Sequence, residues 1–125
     1  MKLWKLSAQT IASMVKSGDV SAREVTQNHL DRLAAVNPAL NAVVQICEKD
    51  ALKAADNTDK KRVEGKQLGK LAGVPVTVKV NIDQANYATT NGLRLQESRI
   101  AKEDNPVVRN FRRADAIIIG RTNTP

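Results

Sequence analysis

Aromatic side chains are almost missing from this sequence: Trp4, Tyr87 and Phe111 are the whole set, 2% of 125 residues. Single-stranded nucleic acid is held largely by stacking of its bases on rings, and a chain this poor in rings gives little support to that mode. Cysteine occurs once, which excludes an intrachain disulfide. Cys47 sits in the apolar setting "AVVQIC" and reads as a buried, inert thiol rather than a nucleophile. Such usage is compatible with a reducing compartment. The single histidine, His29, falls on the apolar face of a predicted helix and reads as a core residue rather than a base. No His/Cys/Asp/Glu cluster has metal-ligand spacing, and "GKQLG" lacks the pattern of a phosphate loop. Neither metal nor cofactor is expected. No segment approaches the roughly 20 apolar residues that span a bilayer, and "MKLWKLSAQT" has no apolar core of a signal peptide. The expectation is a cytoplasmic protein with no membrane partner.

Acidic residues are also in deficit, 13 against 20 Lys and Arg, for a formal charge of +7. A basic balance can mark a nucleic-acid or membrane-surface partner. Here the cations are dispersed, and the densest cluster, Lys60-Lys61-Arg62, follows Asp56 and Asp59. The charge reads as a solvated, lysine-rich surface, and nucleic acid is not the expected partner. Asp56, Asp59, Glu97, Glu103 and Asp104 read as surface charges. What remains is 42% apolar, and 125 residues suffice for one small domain with its own core.

Ser7 can cap a first helix with Ala8, Ile11, Ala12 and Val15 inward, and Gly18 suits its stop. Ser21 and Glu24 form a capping box for a second helix. Its inner face carries Ala22, Val25, His29, Leu33 and Val36, widened by Leu30 and Ala34, and Pro38 ends it. "NAVVQIC" reads as a short strand, residues 48–63 as an alanine-rich charged helix, and "EGKQLGKLAG" as a loop. Asn105 or Asp104 caps a last helix with Pro106 at its first position and Val107, Val108, Phe111 and Ala114 as its apolar side. "AIIIG", residues 116–120, is a continuous apolar run of the kind that forms a fully buried strand. Helices alternating with such strands predict an α/β sheet. Only "RTNTP" follows that strand, so the chain reads as interrupted, with nothing left to cover its sheet.

The stretch "GVPVTVKVNID" is the anomaly. Val74, Val76, Val78 and Val80 alternate with Pro75, Thr77, Lys79 and Asn81, the period of a strand with two unlike faces. One cation, Lys79, stands on the second face of a strand that otherwise looks like core. Alternation alone reads it as a lysine on a solvated strand face. "QANYATTNG" after it has no clear period and reads as an ordered loop.

Several segments together carry a resemblance: "NPALNAVV", "LAGVPVTVK", "TTNG" and "IIIGRTNTP", in this order and spacing over nearly the whole chain. They resemble the N-terminal part of the amidase signature family. "GRTNTP" is more similar to the stand-alone amidases than to the subunit that amidates glutamyl-tRNA. The resemblance implies an α/β fold, with helices over about 7–36 and then an α/β portion to 125, flanking a mixed sheet that is incomplete in this chain. It implies amide hydrolysis by a serine nucleophile, a second serine in a cis peptide and a lysine, without metal. The position of that lysine is Lys79. A lysine held partly out of water favours its neutral form, which can take a proton from the bridging serine and so activate the nucleophile. The "TTNG" loop, Thr89, Thr90, Asn91 and Gly92, lies near the substrate in the family; its bland alternative is ordinary loop hydrogen bonding. The usual aspartate after the lysine is Val80 here, and Asn91 stands where a small residue is usual.

The family's Gly/Ser-rich signature, which supplies both serines, has no counterpart in residues 1–125. Ser7 and Ser21 read as caps, Ser13 and Ser17 belong to the first helix, and Ser98 has no glycines around it. The resulting expectation is an amidase portion that is inactive alone. Its partners would be a small amide substrate in the full-length family, and either a second copy or a missing C-terminal portion. The alternative is a non-catalytic interaction or oligomerisation module derived from an amidase, and a basic nucleic-acid-associated protein comes third.

Overall fold

Ser7 and Ser21 start the first two helices as their chemistry predicts. The Ser7 hydroxyl accepts from the Thr10 amide at 3.1 Å and the Ser21 hydroxyl from the Glu24 amide at 2.9 Å. The computed structural model describes all residues, Met1–Pro125. Its elements run α1 (Ala8–Ser17), α2 (Ala22–Leu40), β1 (Val43–Ile46), α3 (Glu48–Val63), β2 (Pro75–Lys79), α4 (Pro106–Arg113) and β3 (Ile117–Thr122), with short 3-10 turns at Leu3–Lys5 and Arg94–Gln96. Gly18 closes α1 in the left-handed region at φ 84°, where its amide reaches the Met14 and Val15 carbonyls. Asn105, not Asp104, caps α4 by accepting from the Val107 amide.

Pro38 does not end α2. The helix continues through it to Leu40 and stops at Asn41, whose φ of 51° turns the chain. A proline this late removes only one intrahelical bond. The Asn37 side chain then carries the chain into β1: its Oδ1 accepts from Ala42 and Val43 amides and its Nδ2 donates to the Val43 carbonyl.

The sheet has the order β1-β3-β2, with β1 antiparallel and β2 parallel to the central β3. Alternation along β3 divides the core. Ile117 and Ile119 join a cluster formed with α1, α2 and α3, around Val15, Val25, Leu30 and Ala55. Ile118 points the other way and packs with Val78 of β2 and Val108 of α4. The expectation that nothing in the chain covers this strand is therefore corrected: Ile117, Ile118 and Ile119 are all buried within it. What stays open are the outer edges of β1 and β2, with Val44 and Ile46 about half exposed on the former. Three apolar positions expected inward are exposed: Ala8 and Val107 in the first turns of α1 and α4, and Ala34 within α2.

Two aspartates expected at the surface have structural partners. Asp59 of α3 accepts from the Ala22 and Arg23 amides at 2.7 and 3.0 Å, tying α3 to the first turn of α2. Asp104 accepts from the Ala85 amide and from Arg112. His29 is half-buried, and its Nδ1–H donates to the Val25 carbonyl one turn back, as suits a packed helix residue. Ahead of α1, the Trp4 amide donates to Asn28 of α2, and the Arg32 guanidinium lies 4.3 Å from the indole centre. No helix is long and apolar enough to cross a membrane.

Candidate active site

Parallel strands collect functional side chains at their carboxyl ends, where the turns that follow are free to vary. Lys79 is the last residue of β2, and its register partner is Thr122, the last residue of β3. The Val80 amide donates to the Thr122 carbonyl, so pairing persists one residue past the strand. Val78 and Val80 are buried while Thr77 is exposed and Lys79 half-buried. The alternation read from the sequence therefore holds over this part of the strand, with the cation on the face opposite the valines. None of the five ion pairs in the chain involves Lys79.

The "TTNG" loop closes onto this end of the sheet. The Asn91 amide donates to the Val80 carbonyl at 3.3 Å, one residue from Lys79. Thr124, just past β3, donates its hydroxyl to the Asn91 carbonyl at 3.2 Å. Gly92 has φ 78°, and a Cβ there would collide with the Thr124 hydroxyl, so neither its backbone nor its surroundings accept a side chain. Thr90 accepts the Gly92 amide, and the Asn91 side-chain amide donates to Gln96. Thr89 is buried and spends its hydroxyl on Asp83. Thr89 is thus committed to holding the loop. Thr90 and Gly92 face an open groove between the loop and β1, whose wall also includes Val44, Val80 and Asn123. Lys79 lies outside that groove, one residue from Val80 in its wall.

Behind the loop, on the far face of β3 from Lys79 and Thr122, lies a charge that sequence reading passed over. Arg121 is fully buried. One of its terminal nitrogens donates to the Ile82 and Ala88 carbonyls, both at 3.1 Å, and the other donates to the Gln84 side chain at 3.2 Å. Burial holds its pKa below the usual guanidinium value, opposed by the nearby Cys47, Asp83 and Tyr87. Cys47 is buried beside it, and burial raises its thiol pKa, as expected of an inert cysteine. Burial likewise raises the Tyr87 phenol, reinforced by its hydrogen bond to the Asp50 carboxylate.

The family model for amidases matches residues 24–125. This chain belongs to the amidase signature family. An indoleacetamide hydrolase of Bradyrhizobium diazoefficiens is 50% identical over 123 residues, 98% of this chain and 24% of that protein. A glutamyl-tRNA(Gln) amidotransferase subunit of Salinispora arenicola is 40% identical over 121 residues, 97% of this chain and 25% of that protein. Among solved structures, a bacterial aryl acylamidase of the amidase signature enzymes superposes with a TM-score of 0.91 at 28% identity, covering 96% of this chain and 25% of its own. The chain spans about a quarter of the length of the curated relatives it matches.

For this amidase signature chain, the higher identity to the hydrolase than to the amidotransferase agrees with the reading of "GRTNTP". The α/β class and the mixed sheet of the family are present as expected. Lys79 and the residues Thr89, Thr90, Asn91 and Gly92 come from segments ten residues apart in sequence, and the carbonyl of Val80 joins them. Thr122 and Thr124 also meet there. A signal for Arg121 was available in the sequence. It is a cation set directly behind the apolar run of residues 116–120.

Proposed function

We propose that this chain is the N-terminal portion of an amidase that hydrolyses small amides through an acyl-enzyme, with Lys79 as its base. Lys79 takes the proton of a bridging serine, that serine takes the proton of the nucleophilic serine, and the nucleophile attacks the amide carbonyl. Both serines belong to a Gly/Ser-rich segment outside residues 1–125, and Thr90 to Gly92 flank the substrate. The substrate class is a small arylacetamide, by similarity to the indoleacetamide hydrolase. The reaction belongs in the cytoplasm. What carries the reading is one observation: Lys79 and Thr122 stand in register at the carboxyl ends of two parallel strands, with the 89–92 loop bonded to the next residue.

The test has two arms. Residues 1–125 alone should release no ammonia from indoleacetamide and take no label from serine-directed fluorophosphonates, because acyl transfer needs nucleophile, base and oxyanion donors together. Joined to the remaining part of the Bradyrhizobium hydrolase, the chain should hydrolyse the amide. Lys79→Ala should then lower kcat by roughly 2–4 orders of magnitude, the range for a general base. Lys79→Arg should not restore it, since a guanidinium keeps its proton. Turnover by residues 1–125 alone would overturn the assignment, with Ser98 the first nucleophile to examine. Full activity of the joined Lys79→Ala enzyme would do the same.

A further inference from the structure

We propose that Arg121 is a positioning residue for this site: its buried guanidinium clamps the Ile82–Ala88 loop at both ends and thereby sets Thr89–Gly92 against the ends of β2 and β3. The inference rests on the amidase reading for its catalytic consequence only.

The geometry is specific. A single terminal nitrogen bridges two main-chain carbonyls that are six residues apart in sequence, Ile82 and Ala88, while the second nitrogen holds Gln84 between them. Ile82 follows the turn out of β2, its amide bonded to the Lys79 carbonyl. Ala88 immediately precedes Thr89. The clamp therefore fixes where the loop leaves the Lys79 strand and where it re-enters the "TTNG" turn. No carboxylate pairs with Arg121, and the carbonyl and amide dipoles of the loop are what solvate its charge. Its Nε finds no acceptor, so the side chain is held by its fork of terminal nitrogens alone. Thr122, the register partner of Lys79, is the next residue. The backbone of β3 thus presents the clamp on one face and the candidate site on the other.

Only a planar fork meets this arrangement. A lysine keeps the charge but is a point donor on a flexible stem, and cannot satisfy all three oxygens in the same geometry. Arg121→Lys should therefore loosen the loop before it unfolds the domain.

Amide hydrogen exchange on residues 1–125 tests the clamp without any enzymatic activity. In Arg121→Lys, the Thr89 and Asn91 amides, which donate to Arg99 and Val80, should lose protection by roughly ten- to a hundredfold, the change expected from losing a hydrogen bond to a charged group. Amides inside α2 and α3, such as Leu30 and Ala55, should keep theirs. If Arg121→Lys does not fold, Gln84→Ala removes one acceptor and should give the same pattern more weakly. Equal loss of protection in loop and helices would overturn the proposal, as would no loss in the loop.

In the joined enzyme, Arg121→Lys should raise KM for indoleacetamide by about tenfold or more and leave the pH dependence of kcat in place, while Lys79→Ala abolishes kcat. Unchanged kinetics in Arg121→Lys beside a dead Lys79→Ala would refute the clamp and leave the base assignment standing. An active Lys79→Ala with a loosened loop in Arg121→Lys would do the reverse.

Discussion

Asp56 and Asp59 lie three residues apart on α3, and removing each should have very different effects. Asp56 pairs with Arg23 at 2.6 Å, with both side chains about half exposed. An exposed pair of this kind contributes about 0–1 kcal/mol. Asp59 has no ion pair, yet its carboxylate accepts the amides of Ala22 at 2.7 Å and Arg23 at 3.0 Å, two of the free N–H groups in the first turn of α2. Ala22 is fully buried, so its amide has no water to replace the lost acceptor. That bond, made to a charged group, is worth about 1.5–3 kcal/mol. Arg23 is exposed and its amide can be hydrated, leaving a residual loss of about 0.5 kcal/mol, the low end for a cap. Asp59→Ala should therefore destabilise the chain by about 2–3.5 kcal/mol, and Asp59→Asn by about half of that, since one carbonyl oxygen remains to accept. Urea unfolding followed by far-ultraviolet circular dichroism reads the difference as a lower midpoint at unchanged slope. Equal destabilisation by Asp56→Ala and Asp59→Ala, within about 0.5 kcal/mol, would refute the reasoning.

Gly69→Ala should be among the most damaging single substitutions: a Cβ there would collide with the Ala114 carbonyl group, main-chain atoms that cannot swing aside. A loss of about 3 kcal/mol or more is expected by the same urea assay. Stability should also fall in alkali. Folding raises the Cys47 thiol and the Tyr87 phenol above their ordinary values, so the folded chain keeps protons that the unfolded chain releases as pH climbs past about 8.5 and then about 10. The contribution is complete below those values and is lost above them; Cys47→Ala should flatten the first part of the decline in a pH series of unfolding midpoints. Finally, we propose that residues 1–125 self-associate along the open edge of β1, where Val44 and Ile46 are 47% and 45% exposed. Sedimentation at micromolar concentration should show dimers or larger species, reduced by Val44→Lys, and a compact monomer throughout would refute this.

The helix starts at Ser7, Ser21 and Asn105 and the stop at Gly18 were legible because a cap is satisfied within a few residues of itself. The continuation of α2 through Pro38 was not. The penalty of a proline depends on how many bonds lie beyond it, and here the helix had two residues left to run. Asp59 and Arg121 escaped for a different reason: their partners are 36 to 37 and 33 to 39 residues away in sequence. A composition-level reading assigns a charge to solvent unless something nearby claims it. Lys79 was noticed only because alternation gave its position an expected polarity to violate. The cover over Ile118 was likewise hidden, since it is assembled from Val78 and Val108, one on each of two elements that do not adjoin in sequence.

Strand order has a consequence for how the chain is made. β3 follows β1 and β2 in the chain, yet it is the strand between them, and those two never touch as a ladder. Until residues 117–122 leave the ribosome, the two earlier strands have no partner, and every emerging nascent chain carries them unpaired alongside helices that lack Ile117 and Ile119 to close their core. Vectorial synthesis therefore leaves formation of this three-stranded sheet to a single event, in which one hexapeptide completes both ladders and both core clusters at once. Before that event β1 and β2 are open to aggregation and to chaperones, and slowing translation over residues 80–116 should lengthen that interval.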